Sequence, residues 1–421
     1  MHDSSSDPIV VIGNGMAGLR VLQELREAEG AARGNRVPVV AIGAEPMEAY
    51  NRVLLSSLLS GESEYKDIAL VNRRWYDDQD IELQIGVRVL EIDRKRKRLR
   101  LSTGQRMPYS KLILATGSEP IRLKMPGSDL QGVKTFRDLT DVSDLKAQAK
   151  TGKRAVVIGG GLLGLEAAHG LALLGMDVTV VHLMDRLMER QLDPVASYFL
   201  LREFRRRNID VLLNSETERV LGKVRVEGVE FRAGGRIEAD VVIMAVGIRP
   251  NAALAKSAGL SIERGVLVDD MLRSSDPDIY AIGECAEHRG QVYGLVAPLY
   301  EQAKVCARDV LGLQSAPYVG SVVSTSLKVG GMNVFSAGDY LGQPGTEDIT
   351  LADPSYPFYK KLVLHKGVDG TTRLVGAVLF GETGDAPWYL QLITEKAPVD
   401  AFRRDMIFAR ELALELARHA A

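Results

Sequence analysis

Pro8-Ile9-Val10-Val11-Ile12-Gly13-Asn14-Gly15-Met16-Ala17-Gly18 is the stretch from which the fold is read. A β-branched run of this kind reads as a strand buried on both faces of a parallel sheet. GxGxxG follows it at once, and a helical pattern then runs through Glu27. In such a strand, turn and helix, the first glycine permits the tight turn, the second lets the backbone approach a pyrophosphate, and the third lets helix and strand pack closely. Here these are Gly13, Gly15 and Gly18, with Met16 and Ala17 between them. The helix start offers its free N–H groups to the anion. One glycine motif alone is weak; an acid ending the next strand, placed to accept hydrogen bonds from a ribose, supports it. Val37-Pro38-Val39-Val40-Ala41-Ile42-Gly43-Ala44-Glu45 supplies that acid.

The pattern returns at Arg154-Ala155-Val156-Val157-Ile158, followed by Gly159-Gly160-Gly161-Leu162-Leu163-Gly164, a helix over 165–174, and a strand over 177–181. A second dinucleotide therefore has its own βαβ unit, with Gly160, Gly161, Leu162, Leu163 and Gly164 as candidate contacts. Its strand ends in His182, where an NAD-binding unit usually places an acid, and Arg186 stands close behind. Loss of the carboxylate removes a repulsion against a 2′-phosphate, so the choice between NADH and NADPH stays open.

Leu112-Ile113-Leu114-Ala115-Thr116-Gly117 and Val241-Val242-Ile243-Met244-Ala245-Val246-Gly247 are each an apolar strand with a glycine stop. Such an ending suits a chain leaving a sheet edge beside a ligand, and equally an ordinary buried strand. Ser275-Asp276-Pro277-Asp278-Ile279-Tyr280-Ala281-Ile282-Gly283-Glu284 is another strand ending in glycine and an acid. Gly294-Leu295-Val296-Ala297-Pro298 then leads into a helix over about 299–311, with Pro298 suited to the first helical turn. A helix start there could stabilise negative charge on a reduced ring system.

Composition narrows the classes. A chain of 421 residues with 46% hydrophobic and 26% charged residues suggests about three domains and is too apolar for disorder. The 53 Lys plus Arg nearly balance 55 Asp plus Glu, so there is no global basic field for nucleic acid or an anionic membrane. Cys285 and Cys306 cannot by themselves form a CxxC motif or a four-thiolate cluster, so redox chemistry must use a bound organic cofactor. The polar, acidic leader lacks the features of a secretory signal, and no run reaches the length of a membrane span. A cytoplasmic protein is the simplest expectation.

In this order, GxGxxG with Glu45, Ala115-Thr116-Gly117, the second GxGxxG, Ala245-Val246-Gly247 with Arg249-Pro250-Asn251, and Tyr280-Ala281-Ile282-Gly283-Glu284 resemble the flavoprotein reductases with two dinucleotide-binding domains. That class holds glutathione reductase, rubredoxin reductase and ferredoxin reductases. Glu45-Pro46, Tyr50-Asn51-Arg52-Val53-Leu54-Leu55-Ser56-Ser57, Met188-Glu189-Arg190-Gln191-Leu192-Asp193 and Tyr293-Gly294-Leu295-Val296-Ala297-Pro298 sharpen the likeness. They resemble the flavin module of assimilatory NAD(P)H nitrite reductase large subunits and the electron-transfer subunit of assimilatory nitrate reductases. Ser324-Thr325-Ser326-Leu327-Lys328-Val329-Gly330-Gly331 extends the likeness toward the C-terminus.

The resemblance implies an α/β fold of two Rossmann-like domains plus a small C-terminal α+β domain. FAD would be held by residues 1–120 and 246–315, NAD(P)H by 121–245, and the C-terminal domain would be 316–421. It places Gly13, Gly15, Met16, Ala17 and Gly18 at the FAD pyrophosphate, Glu45 at the adenosine ribose and Arg52 near the isoalloxazine. Val89, Ala115, Thr116, Gly117, Val246, Gly247, Gly283 and Glu284 complete the implied cofactor contacts, with Val296, Ala297 and Pro298 near the pyrimidine side of the flavin. Glu284 replaces the family's commoner Asp. Hydride would pass from nicotinamide C4 to flavin N5, and electrons would leave one at a time to a separate redox protein. The implied acceptor is the catalytic subunit of an assimilatory nitrate or nitrite reductase, with a rubredoxin or ferredoxin, or a stand-alone NAD(P)H oxidase, as alternatives.

The resemblance also pairs Arg52 with Glu166 beside N5. The family's reactive cysteine is missing from residues 50–59, which disfavours thiol chemistry. The nitrite reductase large subunit continues into iron–sulfur and sirohaem segments that this sequence does not reach before Ala421, so the expectation is that it does not reduce nitrite by itself. A homodimer stays open.

Other signals are discounted. Arg94-Lys95-Arg96-Lys97-Arg98 lies between alternating stretches and reads as a solvated hairpin turn. Cys285, Glu287 and His288 lack further nearby ligands, so no metal is expected. Residues 318–421 show alternating segments at 319–329, 360–365 and 373–380, then a helical tail from Val399; Trp388 and Tyr389 suit an interface or a core.

Overall fold

The computed structural model describes residues 7–30, 36–329, 331–353 and 355–420. They fall into two compact units. One holds residues up to Leu58, Ser63–Glu119 and Ile248–Ser321; the other holds Leu59–Glu62, Pro120–Gly247 and the residues from Val322 onward.

In the first unit the strand Ile9–Ile12 is buried along its whole length, as its unbroken apolar run requires. It lies third in a parallel sheet ordered Ile279–Ala281, Lys111–Leu114, Ile9–Ile12, Val39–Gly43, Ile81–Ile85. The chain moves outward on one side of Ile9–Ile12 and later returns on the other. The carboxyl end of that strand is therefore a topological switch point, where open α/β sheets bind ligands. Helices Met16–Glu29 and Val296–Val310 pack together on this sheet, with Leu19, Leu22, Ala303 and Ala307 in one buried cluster. The last helix begins at Val296, three residues before the expected start. Proline needs no N–H partner in a first turn, so Leu295 stays extended as the cap and Pro298 becomes the third helical residue.

The basic run forms the expected hairpin between Val89–Asp93 and Arg98–Leu101. Arg94 pairs with Asp276 at 2.7 Å and Arg96 with Asp93 at 3.0 Å, so these charges are partly spent inside the fold.

The second unit repeats the plan. Its parallel sheet runs Ile209–Leu212, Asp177–Val181, Arg154–Ile158, Val241–Met244, Val133–Lys134, with Leu162–Leu173 packed on it. The C-terminal residues form an antiparallel sheet ordered Ser324–Val329, Met332–Gly338, Thr372–Phe380, Phe358–Lys366, Thr346–Asp353. Its core includes Phe335, Leu362, Leu379, Trp388 and Tyr389, so both aromatics are core residues. Their helix, Ala386–Glu395, precedes the expected tail; after Val399 the chain turns and becomes helical again only at Arg410–Ala420.

Helix Pro194–Arg206 precedes strand Ile209–Leu212 of the parallel sheet and packs on it, yet it packs on the C-terminal sheet as well. Asp193 caps it, accepting the Ala196 N–H at 3.0 Å, and also accepts the Tyr359 hydroxyl at 2.6 Å. Phe199 stacks on Phe380 with ring centres 5.9 Å apart.

Candidate functional site

The first glycine turn is built as its sequence requires. Gly13 has φ +114°, and a Cβ there would lie 2.1 Å from the Ala115 carbonyl oxygen; a Cβ on Gly18 would lie 1.8 Å from the oxygen of Gly13. These contacts bind turn, helix and neighbouring strand together, and no side chain fits between them. Gly15 is different: nothing lies within 4 Å of its would-be Cβ. It begins helix Met16–Glu29 in extended backbone, with no side chain capping the first turn. Uncapped N–H groups facing open space form an anion cradle. Asn14 adds a second observation. Its Oδ1 accepts the Tyr76 hydroxyl at 2.9 Å, while its Nδ2 is buried with no partner among the described residues. An orphaned buried donor beside such a cradle fits a phosphate ligand.

Around this turn the structure gathers other expected residues. Thr116 donates its hydroxyl to the Asn251 carbonyl at 2.7 Å, and Ser118 donates to Glu284 at 2.8 Å. Gly117 and Gly283 both have positive φ; a Cβ on Gly283 would lie 3.0 Å from Cβ of Ala17, and one on Gly117 would lie 3.8 Å from Glu284. The Gly283 N–H is held by Gln302 at 2.7 Å. Val296, Ala297 and Pro298 form the first turn of a helix that also lacks a side-chain cap. Val89 opens the hairpin and packs against the core cluster that holds Val10, Ile12 and Ala281.

Glu45 follows the strand Val39–Gly43. It pairs with Arg52 and accepts the Tyr50 hydroxyl at 2.7 Å, and the Arg52 guanidinium lies 4.9 Å from the Tyr50 ring centre. Arg52 is thus ion-paired with Glu45, a carboxylate seven residues away in the same segment. Glu166 is buried in helix Leu162–Leu173, and burial alone pushes its carboxyl up to about 8.

The second turn matches the first in outline. Gly159 has φ +121° and would place a Cβ 2.2 Å from the Ala245 oxygen; Gly164 would place one 2.0 Å from the Gly159 oxygen. Gly161 meets nothing within 4 Å and starts helix Leu162–Leu173 without a side-chain cap. After Val241–Met244 come Val246 and Gly247, the latter at φ +114° with its carbonyl accepting the Ile121 N–H at 3.0 Å. The difference lies at His182. Its Nδ1 accepts the Gly160 N–H at 3.0 Å and its Nε2 lies 3.1 Å from a Glu189 oxygen. A Cβ on Gly160 would meet the imidazole at 2.7 Å, so this glycine makes room for a ring. Arg186 touches its neighbour Asp185 at 3.1 Å, and its Nε is buried with no partner among the described residues.

Asn14, Tyr50 and Glu189 stand inside the motifs that carry the resemblance but were given no contact of their own, and Gln302 stands in none of them. The described residues contain no grouping of His, Cys, Asp and Glu suited to a metal. Glu287 is held by Arg264, and His288 by Asp270 at 2.9 Å. Both thiols are fully buried, and burial raises their pKa values above the ordinary range. No helix among the described residues is long and apolar enough to cross a membrane.

Comparison with known proteins agrees with this geometry. The sequence profile of the pyridine nucleotide-disulphide oxidoreductase family matches residues 7–309, and that of the rubredoxin NAD+ reductase C-terminal domain matches 324–397. The chain is 46% identical over 391 residues to nitrite reductase [NAD(P)H] of Bacillus subtilis (strain 168), covering 93% of this chain and 48% of that protein. It is 40% identical to the assimilatory nitrate reductase electron transfer subunit of the same organism, covering 95% and 51%. The chain thus spans about half the length of these curated relatives. Among solved structures it is similar to the covalent putidaredoxin reductase–putidaredoxin complex, with TM-score 0.85, 25% identity and 99% of both chains covered.

Proposed function

We propose that this chain, which belongs to the pyridine nucleotide-disulphide oxidoreductase family, passes electrons from NAD(P)H through FAD to a separate redox protein. Members of the family bind FAD and NAD(P)H. The observation that carries the reading is the pair of glycine turns, each with an open second glycine ahead of an uncapped helix. Two dinucleotides are thereby provided for in one chain.

When bound, FAD supplies the conversion between a two-electron hydride donor and a one-electron acceptor. The chain's own residues hold and orient. In this reading residues 1–120 and 246–315 hold the flavin. The Gly13 to Gly18 turn and the orphaned Asn14 amide take its pyrophosphate, Glu45 takes the adenosine ribose, and Glu284 takes the ribityl region. Val296, Ala297 and Pro298 bring an uncapped helix start to the flavin ring, where a positive helix end favours added negative charge. Residues 121–245 hold NAD(P)H through Gly160, Gly161, Leu162, Leu163 and Gly164, with Val246 and Gly247 beside it, and 316–421 form the C-terminal domain. Arg52 is ion-paired within its own segment, which fixes its cation beside Tyr50 and Glu45.

The acceptor in this reading is the catalytic partner of an assimilatory nitrate or nitrite reductase, supported by the 46% and 40% identities. A rubredoxin or ferredoxin is the second reading, supported by the C-terminal profile and the likeness to a reductase solved with putidaredoxin. A disulfide acceptor is disfavoured because both cysteines are buried with raised pKa values. The protein is read as cytoplasmic, and a homodimer as compatible with it.

Purified protein is expected to be yellow and to bleach with NAD(P)H. Rapid reoxidation only on addition of a ferredoxin, rubredoxin or nitrate reductase catalytic subunit supports the reading. Fast oxygen consumption without a partner would replace it with an oxidase.

A further inference from the structure

Glu284 lies in the single turn Gly283–Cys285 that follows the strand Ile279–Ala281. A glutamate side chain is long and rotamer-rich, so a ligand that captures a loose one must pay for ordering it. Two separate elements hold this one beforehand.

The backbone beneath it is fixed from the helix Val296–Val310. Gln302, 1% exposed there, accepts the Gly283 N–H at 2.7 Å. The buried Cys285 thiol lies 3.2 Å from the Ile282 carbonyl and 3.4 Å from that of Leu114. Burial raises its pKa, so it stays a thiol and keeps its weak donor.

The carboxylate is fixed from the opposite element. Ser118 donates its hydroxyl to Glu284 Oε2 at 2.8 Å. It opens the strand Ser118–Pro120, which pairs with Ile248–Pro250. Asn251 then ties down the preceding residues: its N–H donates to the Gly117 carbonyl at 2.9 Å, and its own carbonyl accepts the Thr116 hydroxyl at 2.7 Å. The Ser118 hydroxyl is thereby presented from backbone held in place. Gly117 has φ +66°, and a Cβ there would lie 3.8 Å from Glu284 Oε2, so the carboxylate rests directly against this glycine. One hydroxyl takes one of the roughly four lone-pair sites of a carboxylate, which leaves acceptor capacity for the hydroxyls of a ligand.

We propose that Ser118 is a positioning residue of the flavin site, acting through Glu284: it pre-sets the carboxylate that accepts the ribityl hydroxyls, while Gln302 sets the turn that carries it. This rests on the reading of the first unit as the flavin site.

The test follows FAD release from the holoprotein by the rise in flavin fluorescence, together with thermal unfolding of the flavin-stripped full chain. Ser118→Ala should release FAD about tenfold faster, the worth of one charge-assisted hydrogen bond, with the unfolding temperature unchanged. Ser118→Thr keeps a hydroxyl and should restore most of the retention. Glu284→Asp draws the carboxylate back by one methylene, away from Ser118, so adding Ser118→Ala in that background should change nothing further. Gln302→Leu strands a buried N–H and should lower retention and unfolding temperature together. An equal effect of Ser118→Ala in the Glu284 and Glu284→Asp proteins, no faster release, or a fall in unfolding temperature like that of Gln302→Leu would overturn the assignment and leave the flavin site standing. Undiminished retention in Gln302→Leu would strike out the part given to the turn. An unmodified protein that holds no FAD would overturn the assignment together with the reading of the first unit.

Discussion

The two glycine units use one backbone and different chemistry at its rim. In both, the first glycine is pressed against a neighbouring carbonyl, the last glycine against the first, and the middle one faces open space. In the first unit the next strand leads to Glu45, 35% exposed at its side chain and bound to Arg52 and Tyr50. In the second it leads to His182, 8% exposed and turned inward onto Gly160. The helices differ as well. Met16–Glu29 keeps its buried Glu24 beside Arg20 at 2.5 Å, whereas Leu162–Leu173 buries Glu166 with only burial acting on the carboxyl. The backbone geometry of the turn is common to both units; the residues around it are free to diverge, and these have.

Breaking each turn separately gives the largest effect. Gly15→Val and Gly161→Val meet no atoms within 4 Å and need no unusual φ, so both proteins should fold. Gly15→Val should lose flavin affinity by about 100-fold or more and purify nearly colourless, since roughly 2.7 kcal/mol of close phosphate contact is at stake. Gly161→Val should stay yellow but resist bleaching by NAD(P)H. If both variants lose the flavin equally, the division of labour between the turns is wrong.

A smaller effect separates the helices. Because burial holds the Glu166 carboxyl at about 8, above the ordinary 4.5, the folded protein keeps a proton that the unfolded chain releases. Stability from this group is therefore greatest at low pH and declines as pH rises from about 4.5 to 8, by at most about 1.4 kcal/mol per unit. Glu166→Gln should flatten that decline in urea unfolding and make the protein the more stable form at pH 8. An unchanged pH profile would show that a partner already satisfies the carboxylate.

The smallest effect distinguishes the two strand ends. His182→Ala strands the buried Gly160 N–H and should cost about 1–2 kcal/mol of unfolding free energy. Glu45→Ala removes a partly exposed ion pair and should cost no more than about 1 kcal/mol while weakening flavin binding. A large stability loss at Glu45 with none at His182 would reverse the roles.

What the sequence made legible follows from how local each signal is. The glycine turns, their strands and the basic hairpin are written in contiguous residues, and they fold as read. Side-chain partners are a different matter. The Tyr359 bond to Asp193 spans 166 residues, and no pattern within either segment announces it. His182 was placed correctly at the strand end, but its inward turn depends on the room left by Gly160, a glycine that looked like one more phosphate contact. The ion pair of Arg52 with Glu45 joins two motifs that were read separately, and neither motif announces it. Helix Ala386–Glu395 was missed because its apolar residues are dense enough to blur any period, while the turns after Val399 mix charged and apolar residues in a way that mimics a helix face.

The seating of Phe199 on Phe380, with Asp193 beneath Tyr359, bears on how such a chain can evolve. The C-terminal sheet has a core of its own, as an exchangeable module would, yet helix Pro194–Arg206, which also packs on Ile209–Leu212, has part of its buried face covered by residues from that sheet. Grafting a foreign C-terminal domain would bare Phe199 and remove a hydrogen bond at the helix cap. Change is therefore more accessible through substitutions on the sheet's outer surface than through exchange of the whole domain, and the seam at Phe199 should be inherited with the helix it covers.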